Sequence, residues 1–237
     1  MTPMLETRGL FKRFDGVIAL DGVDLAAGPG EVVGIIGVNG AGKTTLMNCI
    51  CGLYRADAGE VFLAGECVTG LAPHDIARRG VGRTFQVPRV FRRISLLDNL
   101  LIPVLDARAA DRELEGAALA MLERMQLLEL RHNHAEELSG GQQKLLEMAR
   151  MLMRDPKVVM LDEPFAGVHP TLCRFMIEQV AAMAAAGKSI VLISHDLTSI
   201  YRLSHRVVAL NQGRVIAEGD VEAIRANPAV VEAYLGT

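Results

Sequence analysis

Hydrophobic and polar positions change their rhythm twice along the chain. Residues 16–20 (GVIAL) and 23–27 (VDLAA) read as two short strand-like runs, and GPGE at 28–31 breaks them. Residues 31–37 (EVVGIIG) are apolar, β-branched and closed by glycine, the pattern of a strand buried on both faces of a parallel sheet. VNGAGKTTLMNCICGL, residues 38–53, predicts a glycine-rich loop running into a helix, and AGEVFLAGE, residues 58–66, another strand between turns. From about residue 91 to 153, leucine, methionine, alanine and paired charges recur at helical spacing, as in DRELEGAALAMLERMQLLEL, which predicts several helices. The last third returns to strands and helices in alternation. KVVMLDEP is a buried strand ending in two acids, and TLCRFMIEQVAAMAAAGK is a helix with Gly187 at its C-terminal cap. SIVLISHD is a strand, TSIYRLSH a helix and RVVALNQGRVIAEG a hairpin. The pattern predicts one α/β core interrupted by a helical insert.

Composition narrows this picture only slightly. Half of the residues are hydrophobic and 22% charged, as in a soluble globular enzyme. The net charge of −3 offers no basic surplus, so nucleic acid is not an expected partner. No run approaches the roughly 18–20 apolar residues of a membrane span. The first residues carry charges where a secretory signal needs an apolar stretch, so the expected place is the cytoplasm, with any membrane association through a partner. Cys49, Cys51, Cys67 and Cys173 lack zinc-site spacing and read as buried reduced thiols.

The chemistry sits at the ends of the predicted strands. Gly37, Val38, Asn39, Gly40, Ala41, Gly42, Lys43 and Thr44 match G-x-x-x-x-G-K-[ST], with a strand before and a helix after. Glycines let backbone N–H groups converge on phosphate, and the helix start adds a favourable dipole. Lys43 would supply charge at the β- and γ-phosphates, and Thr44 a hydroxyl to Mg²⁺. Asp162 and Glu163 end a strand that should lie beside this loop; Asp162 would hold Mg²⁺ and Glu163 polarise the attacking water. Leu138, Ser139, Gly140, Gly141 and Gln142 open a helix, with Ser139 as its N-cap. This is a second anion-binding surface. One nucleotide does not need two such surfaces from one subunit, so the second should serve a nucleotide held by another copy. Gln86, in RTFQVP, and His195, after SIVLIS, cannot be assigned by themselves.

Together these residues resemble the ATP-binding cassette (ABC) family over essentially the whole chain, with the motifs in the family's order. The resemblance implies a RecA-like P-loop NTPase core (1–90 and 154–237) that includes an N-terminal antiparallel β subdomain. It also implies an inserted α-helical subdomain (91–153) carrying the signature. It makes Phe14 the aromatic that stacks on adenine, puts Thr45 in the nucleotide site, and makes Gln86 a Mg²⁺ ligand and reporter of the membrane partner. Residues 138–142 become the family signature, Asp162 and Glu163 the magnesium-site aspartate and catalytic glutamate, and His195 the switch histidine touching the γ-phosphate. Val38 stands where many members have proline, and His169 where the D-loop carries Asp or Asn. A neutral imidazole can accept a hydrogen bond as those residues do, whereas imidazolium can only donate. ATP and Mg²⁺ are the implied cofactors. The implied partners are a second cassette, as homo- or heterodimer, integral membrane permeases on the inner face of the cell membrane, and indirectly a solute-binding protein.

Within the family, GLAPHDIARRGVGRTFQVPRVFRRISLLDNLL, GGQQKLLEMAR and NPAVVEAYLG are similar to the ATPases of branched-chain amino acid importers, the shorter-tail subunit; urea and amide importer ATPases look alike here. The lipopolysaccharide-export ATPase shares FRRISLLDNL, LDEPFAGV and the YLG ending, but RTFQ favours the amino-acid group. Cassettes of DNA repair separate their motifs with long coiled coils, and those of translation pair two cassettes in one chain; this chain does neither.

Overall fold

In the computed structural model, which describes residues 2–107 and 109–235, the chain runs through 19 regular strands and α-helices. First come β1 (Leu5–Phe14), β2 (Val17–Ala27), β3 (Val32–Ile36), α1 (Lys43–Ile50), β4 (Ala58–Leu63), β5 (Glu66–Cys67), α2 (Pro73–Arg78) and β6 (Val81–Arg83). Then α3 (Leu96–Leu101), α4 (Asp111–Arg124) and α5 (Gly140–Leu152) follow without an intervening strand. The remainder alternates: β7 (Val158–Asp162), α6 (Pro170–Ala185), β8 (Ser189–Ile193), α7 (Leu197–Leu203), β9 (Arg206–Asn211), β10 (Arg214–Gly219), α8 (Val221–Ala226) and α9 (Pro228–Leu235).

Two sheets result. β2-β1-β4-β5 is antiparallel, and the second has the order β10-β9-β3-β8-β7-β6. In the second sheet only β10 runs antiparallel. Its three central strands, β3, β8 and β7, are buried at every position. The period of two explains why both residue sets must be apolar. Val33, Ile35, Met160 and Val191 face a core shared with α1 and the antiparallel sheet. Val32, Ile36, Val159, Leu161 and Leu192 face the opposite core, which also holds residues of α3–α7. Each such side chain contributes roughly 1.5–3 kcal/mol by leaving water.

The two runs expected at 16–20 and 23–27 form one strand, β2, because Gly22 at φ +73° carries the chain through the polar break and pairing with β1 resumes beyond it. The expected strands at 31–37, 58–66, 157–164 and 189–196 are β3, β4, β7 and β8, and 206–219 is a hairpin. Helix α6 ends in a Schellman turn: Gly187, at φ +87°, donates to Ala184 O at 2.8 Å and Lys188 to Met183 O at 3.1 Å. Among the described residues no helix is long and apolar enough to cross a membrane.

Candidate functional site

The order β3-β8-β7 sets three loops side by side at the C-terminal edge of the sheet. Crevices for ligands form at this edge in open α/β folds. After β3 comes the glycine loop, after β7 the acidic pair, and after β8 His195.

The glycine loop closes on Gly42, at φ +103°, which caps α1 without any side-chain bond. A Cβ at Gly42 would stand 2.5 Å from Ala19 O, and one at Gly37 2.3 Å from Leu210 O, so neither position tolerates a side chain. The first N–H groups of α1 thus have no side-chain acceptor at the N-cap, and this helix start is suited to an anion. Lys43 is 7% exposed, and its ammonium donates to Gly37 O at 2.6 Å and Val38 O at 3.0 Å. Burial pulls its pKa below the ordinary lysine value, against the opposing charges of Glu163 and Asp162. An anion at the loop would restore what burial removes.

Asp162 ends β7 and is 2% exposed. Burial raises its carboxyl pKa, while Arg83, Lys43 and the Thr44 hydroxyl oppose the rise. Arg83, at the end of β6, donates to Asn48 Oδ1 of α1 at 2.7 Å and lies 3.4 Å from Asp162 Oδ2. It thereby ties the acid to the helix that begins at the phosphate loop.

Glu163 is buried and holds φ +49°, a left-handed conformation uncommon outside glycine. Four bonds hold it there, the longest from the Ala166 N–H to the Glu163 carbonyl at 3.4 Å. Its N–H donates to Ile193 O at 2.9 Å, its carbonyl accepts from Lys144 Nζ at 2.7 Å, and Oε2 accepts from the His195 N–H at 3.0 Å. Oε1 lies 3.2 Å from His195 Nε2 but outside hydrogen-bond alignment, so this buried oxygen has no donor among the described residues. A carboxylate with one oxygen fixed and one available can accept a proton from water.

These groups surround a cavity of about 210 Å³ lined by Asn39, Gly40, Ala41, Gly42, Lys43, Thr44, Thr45, Gln86, Asp162, Glu163 and His195, with Ala19 and Ile193. Gln86 is exposed, and the loop that carries it is held by Glu147 of α5, whose carboxylate accepts from Phe85 N–H at 3.2 Å and Arg89 N–H at 2.7 Å. Burial raises the Glu147 pKa, and those two bonds counter it.

Other expected site residues lie apart. Gly37 and Val38 form the base of the loop rather than the cavity wall. Phe14 ends β1, 38% exposed, with Tyr54 edge-on at 5.2 Å and Lys12 Nζ 5.0 Å from its ring centre. Ser139, Gly140, Gly141 and Gln142 start α5 away from the cavity. Ser139 and Gln142 form a capping box, in which Gln142 Oε1 accepts from the Ser139 N–H at 3.0 Å. Exposed His169 caps α6, its Nδ1 accepting from the Thr171 N–H at 3.4 Å.

Arg83, Lys144, Glu147 and Tyr234 escaped the sequence reading. Lys144 and Glu147, with Arg150, interrupt a helical run of Leu, Met and Ala, a signal that could have marked them; Arg83 and Tyr234 act through tertiary contacts that no local pattern reveals.

Comparison with known proteins follows the same lines. The family model described as ABC transporter matches residues 20–166, and that described as branched-chain amino acid ATP-binding cassette transporter matches residues 214–237. The chain is 40% identical to the probable branched-chain amino acid transport ATP-binding protein LivG of Archaeoglobus fulgidus, covering 98% of this chain and 95% of that protein. It is 39% identical to the high-affinity branched-chain amino acid transport ATP-binding protein BraF of Pseudomonas aeruginosa, covering 99% and 98%. The crystal structure of a nucleotide-free ATP-binding cassette from an ABC transporter superposes with a TM-score of 0.90 at 33% identity, covering 99% of this chain and 100% of that one. With a glycine-rich loop, an acidic strand end and a serine-capped helix carried on this shared frame, the chain belongs to the ABC transporter family as one of its ATP-binding, ATP-hydrolysing cassettes.

Proposed function

We propose that this cassette drives import of branched-chain amino acids, as one of two cassettes that sandwich ATP against membrane permeases at the inner face of the cell membrane. A solute-binding protein would deliver the solute. The observation that carries the reading is the division of the site. Phosphate loop, acids and His195 surround one cavity, while the helix start at Ser139 lies outside it. Two copies arranged head to tail would bring the signature of one to the phosphate of the other. The core would be 1–90 and 154–237, and the helical arm bearing the signature 91–153. The solute class rests on the 214–237 match and on the names of the relatives.

In this scheme Lys43 leaves the loop carbonyls for the phosphates, and the N–H groups of residues 39–45 cradle them. Thr44, Gln86 and Asp162 offer hard oxygen donors, a set that suits Mg²⁺. The cation, when bound, would neutralise charge on the β- and γ-oxygens. Glu163 Oε1 accepts a hydrogen bond from the attacking water and draws off its proton, and His195 holds the γ-phosphate. Phe14 offers its half-exposed ring to adenine.

Two measurements test the reading. Lys43→Ala should abolish binding of a fluorescent ATP analogue. Cells whose only copy carries Glu163→Gln should lose uptake of labelled leucine, isoleucine and valine. Undiminished affinity in the first would overturn the site assignment, and undiminished uptake in the second would overturn the solute assignment.

A further inference from the structure

The last helix reaches the base of the phosphate loop. α9 begins firmly, with Asn227 Oδ1 accepting from Ala229 N–H at 2.9 Å, and Val230 is buried in the core beside Ile224. A cavity of about 570 Å³ lies between the flank of the loop and Ala229, Glu232 and Ala233 of this helix. Tyr234, outside the lining of this cavity, joins helix to loop directly: its hydroxyl accepts from the Gly37 N–H at 2.8 Å. Gly37 is therefore gripped at both polar groups, its N–H by Tyr234 and its carbonyl by Lys43. The residue sits at φ +151° with Leu210 O where a Cβ would be, so its setting is closely constrained.

The two grips differ in permanence. Lys43 must release the carbonyl when it turns to phosphate, whereas nothing in nucleotide binding calls on Tyr234. We propose that Tyr234 is a positioning residue that keeps the phosphate loop in its binding shape while Lys43 changes partners, making the C-terminal helix part of the nucleotide site. This rests on the reading of that cavity as the ATP site. The phenol is suited to the task. Burial raises its pKa, outweighing the pull of the Gly37 N–H, so it stays neutral in the working range.

Tyr234→Phe removes one oxygen and keeps the ring. One neutral hydrogen bond corresponds to roughly 0.5–1.5 kcal/mol, or about 2–10-fold in an equilibrium. Without this bond the loop of the free enzyme relaxes into shapes that do not bind nucleotide, so the Michaelis constant for ATP should rise about 2–10-fold while kcat changes less than about twofold. The second measurement is amide hydrogen exchange at Gly37 in glycine-labelled protein without nucleotide, which should accelerate in Tyr234→Phe. A merely structural role would lower kcat with the folded fraction and leave both the Michaelis constant and Gly37 exchange unmoved. That outcome overturns the proposal, as does a variant identical to wild type in both measurements. Wild-type protein that binds no ATP would instead sink the underlying reading, and the exchange measurement would still test the contact.

Discussion

Lys144→Met tests the support beneath Glu163. Methionine keeps the length and apolar stem of the lysine and deletes its ammonium. That ammonium is the donor to Glu163 O at 2.7 Å and Ala166 O at 2.8 Å, from a residue 8% exposed. Two charge-assisted bonds contribute roughly 3–6 kcal/mol in gross terms. The burial that pulls the Lys144 pKa down returns part of this when the charge is removed, leaving a net loss of about 2–4 kcal/mol. For a chain of this size that lowers Tm by roughly 4–16 °C. A left-handed non-glycine conformation costs on the order of 1–3 kcal/mol, so Glu163 at φ +49° should relax once its carbonyl keeps only the 3.4 Å bond from the Ala166 N–H. Lys144 does not line the cavity proposed for the nucleotide, so affinity should stay within about threefold of wild type while turnover falls about tenfold or more, as expected when the proposed general base is misplaced. Thermal unfolding, titration with a fluorescent nucleotide and phosphate release measure the three quantities separately. Unchanged Tm and turnover would refute the argument, and so would affinity and turnover falling together.

Five further outcomes are expected. Glu163→Gln should retain ATP binding, lose roughly 10²–10⁴ in turnover and accumulate a dimer with ATP and Mg²⁺, read by light scattering; wild-type turnover would contradict the role. Ser139→Arg should leave nucleotide binding to the monomer intact but block dimerisation, with Ser139→Ala as the control for a lost helix cap of about 1 kcal/mol; a mutant unable to bind nucleotide contradicts the two-surface reading. Only Cys49 and Cys51 are buried as expected, whereas Cys67 in the short strand β5 is exposed; burial pushes the first two thiols up to about 11, so at pH 8 a thiol reagent should label Cys67 first and the buried pair only after unfolding. Because folding raises these two values, their contribution to stability is complete below about pH 9 and is lost as pH climbs toward 11, which alkaline denaturation curves should register. His169→Ala should cost α6 its cap, at the low end of roughly 0.5–2 kcal/mol given the 3.4 Å bond, and His169→Asn should restore it; equal stabilities for the two variants would show that the imidazole caps nothing.

The parallel sheet was legible because strands buried on both faces are written as unbroken apolar runs, as in β3 and β8. The phosphate loop was legible because glycine spacing and lysine together encode a backbone shape. β1 was not, since Gly9 at φ +55° and repeated register shifts break its alternation, and Arg8 and Arg13 stand at two of its four exposed positions. The supports of the site were hidden for another reason. Arg83 acquires its meaning from Asp162, and Tyr234 from Gly37, by contacts that exist only after folding.

The strand order also has a consequence for the chain as it is made. Val32 pairs with Ile190, so β3, apolar on both faces, is finished long before its neighbour β8 exists. β9, which flanks β3 on the other side, comes later still. At roughly 5–20 residues per second, a nascent β3 waits on the order of ten seconds with both edges unpaired. During synthesis this segment is the natural binding site for a chaperone and the point where two unfinished chains would first stick together.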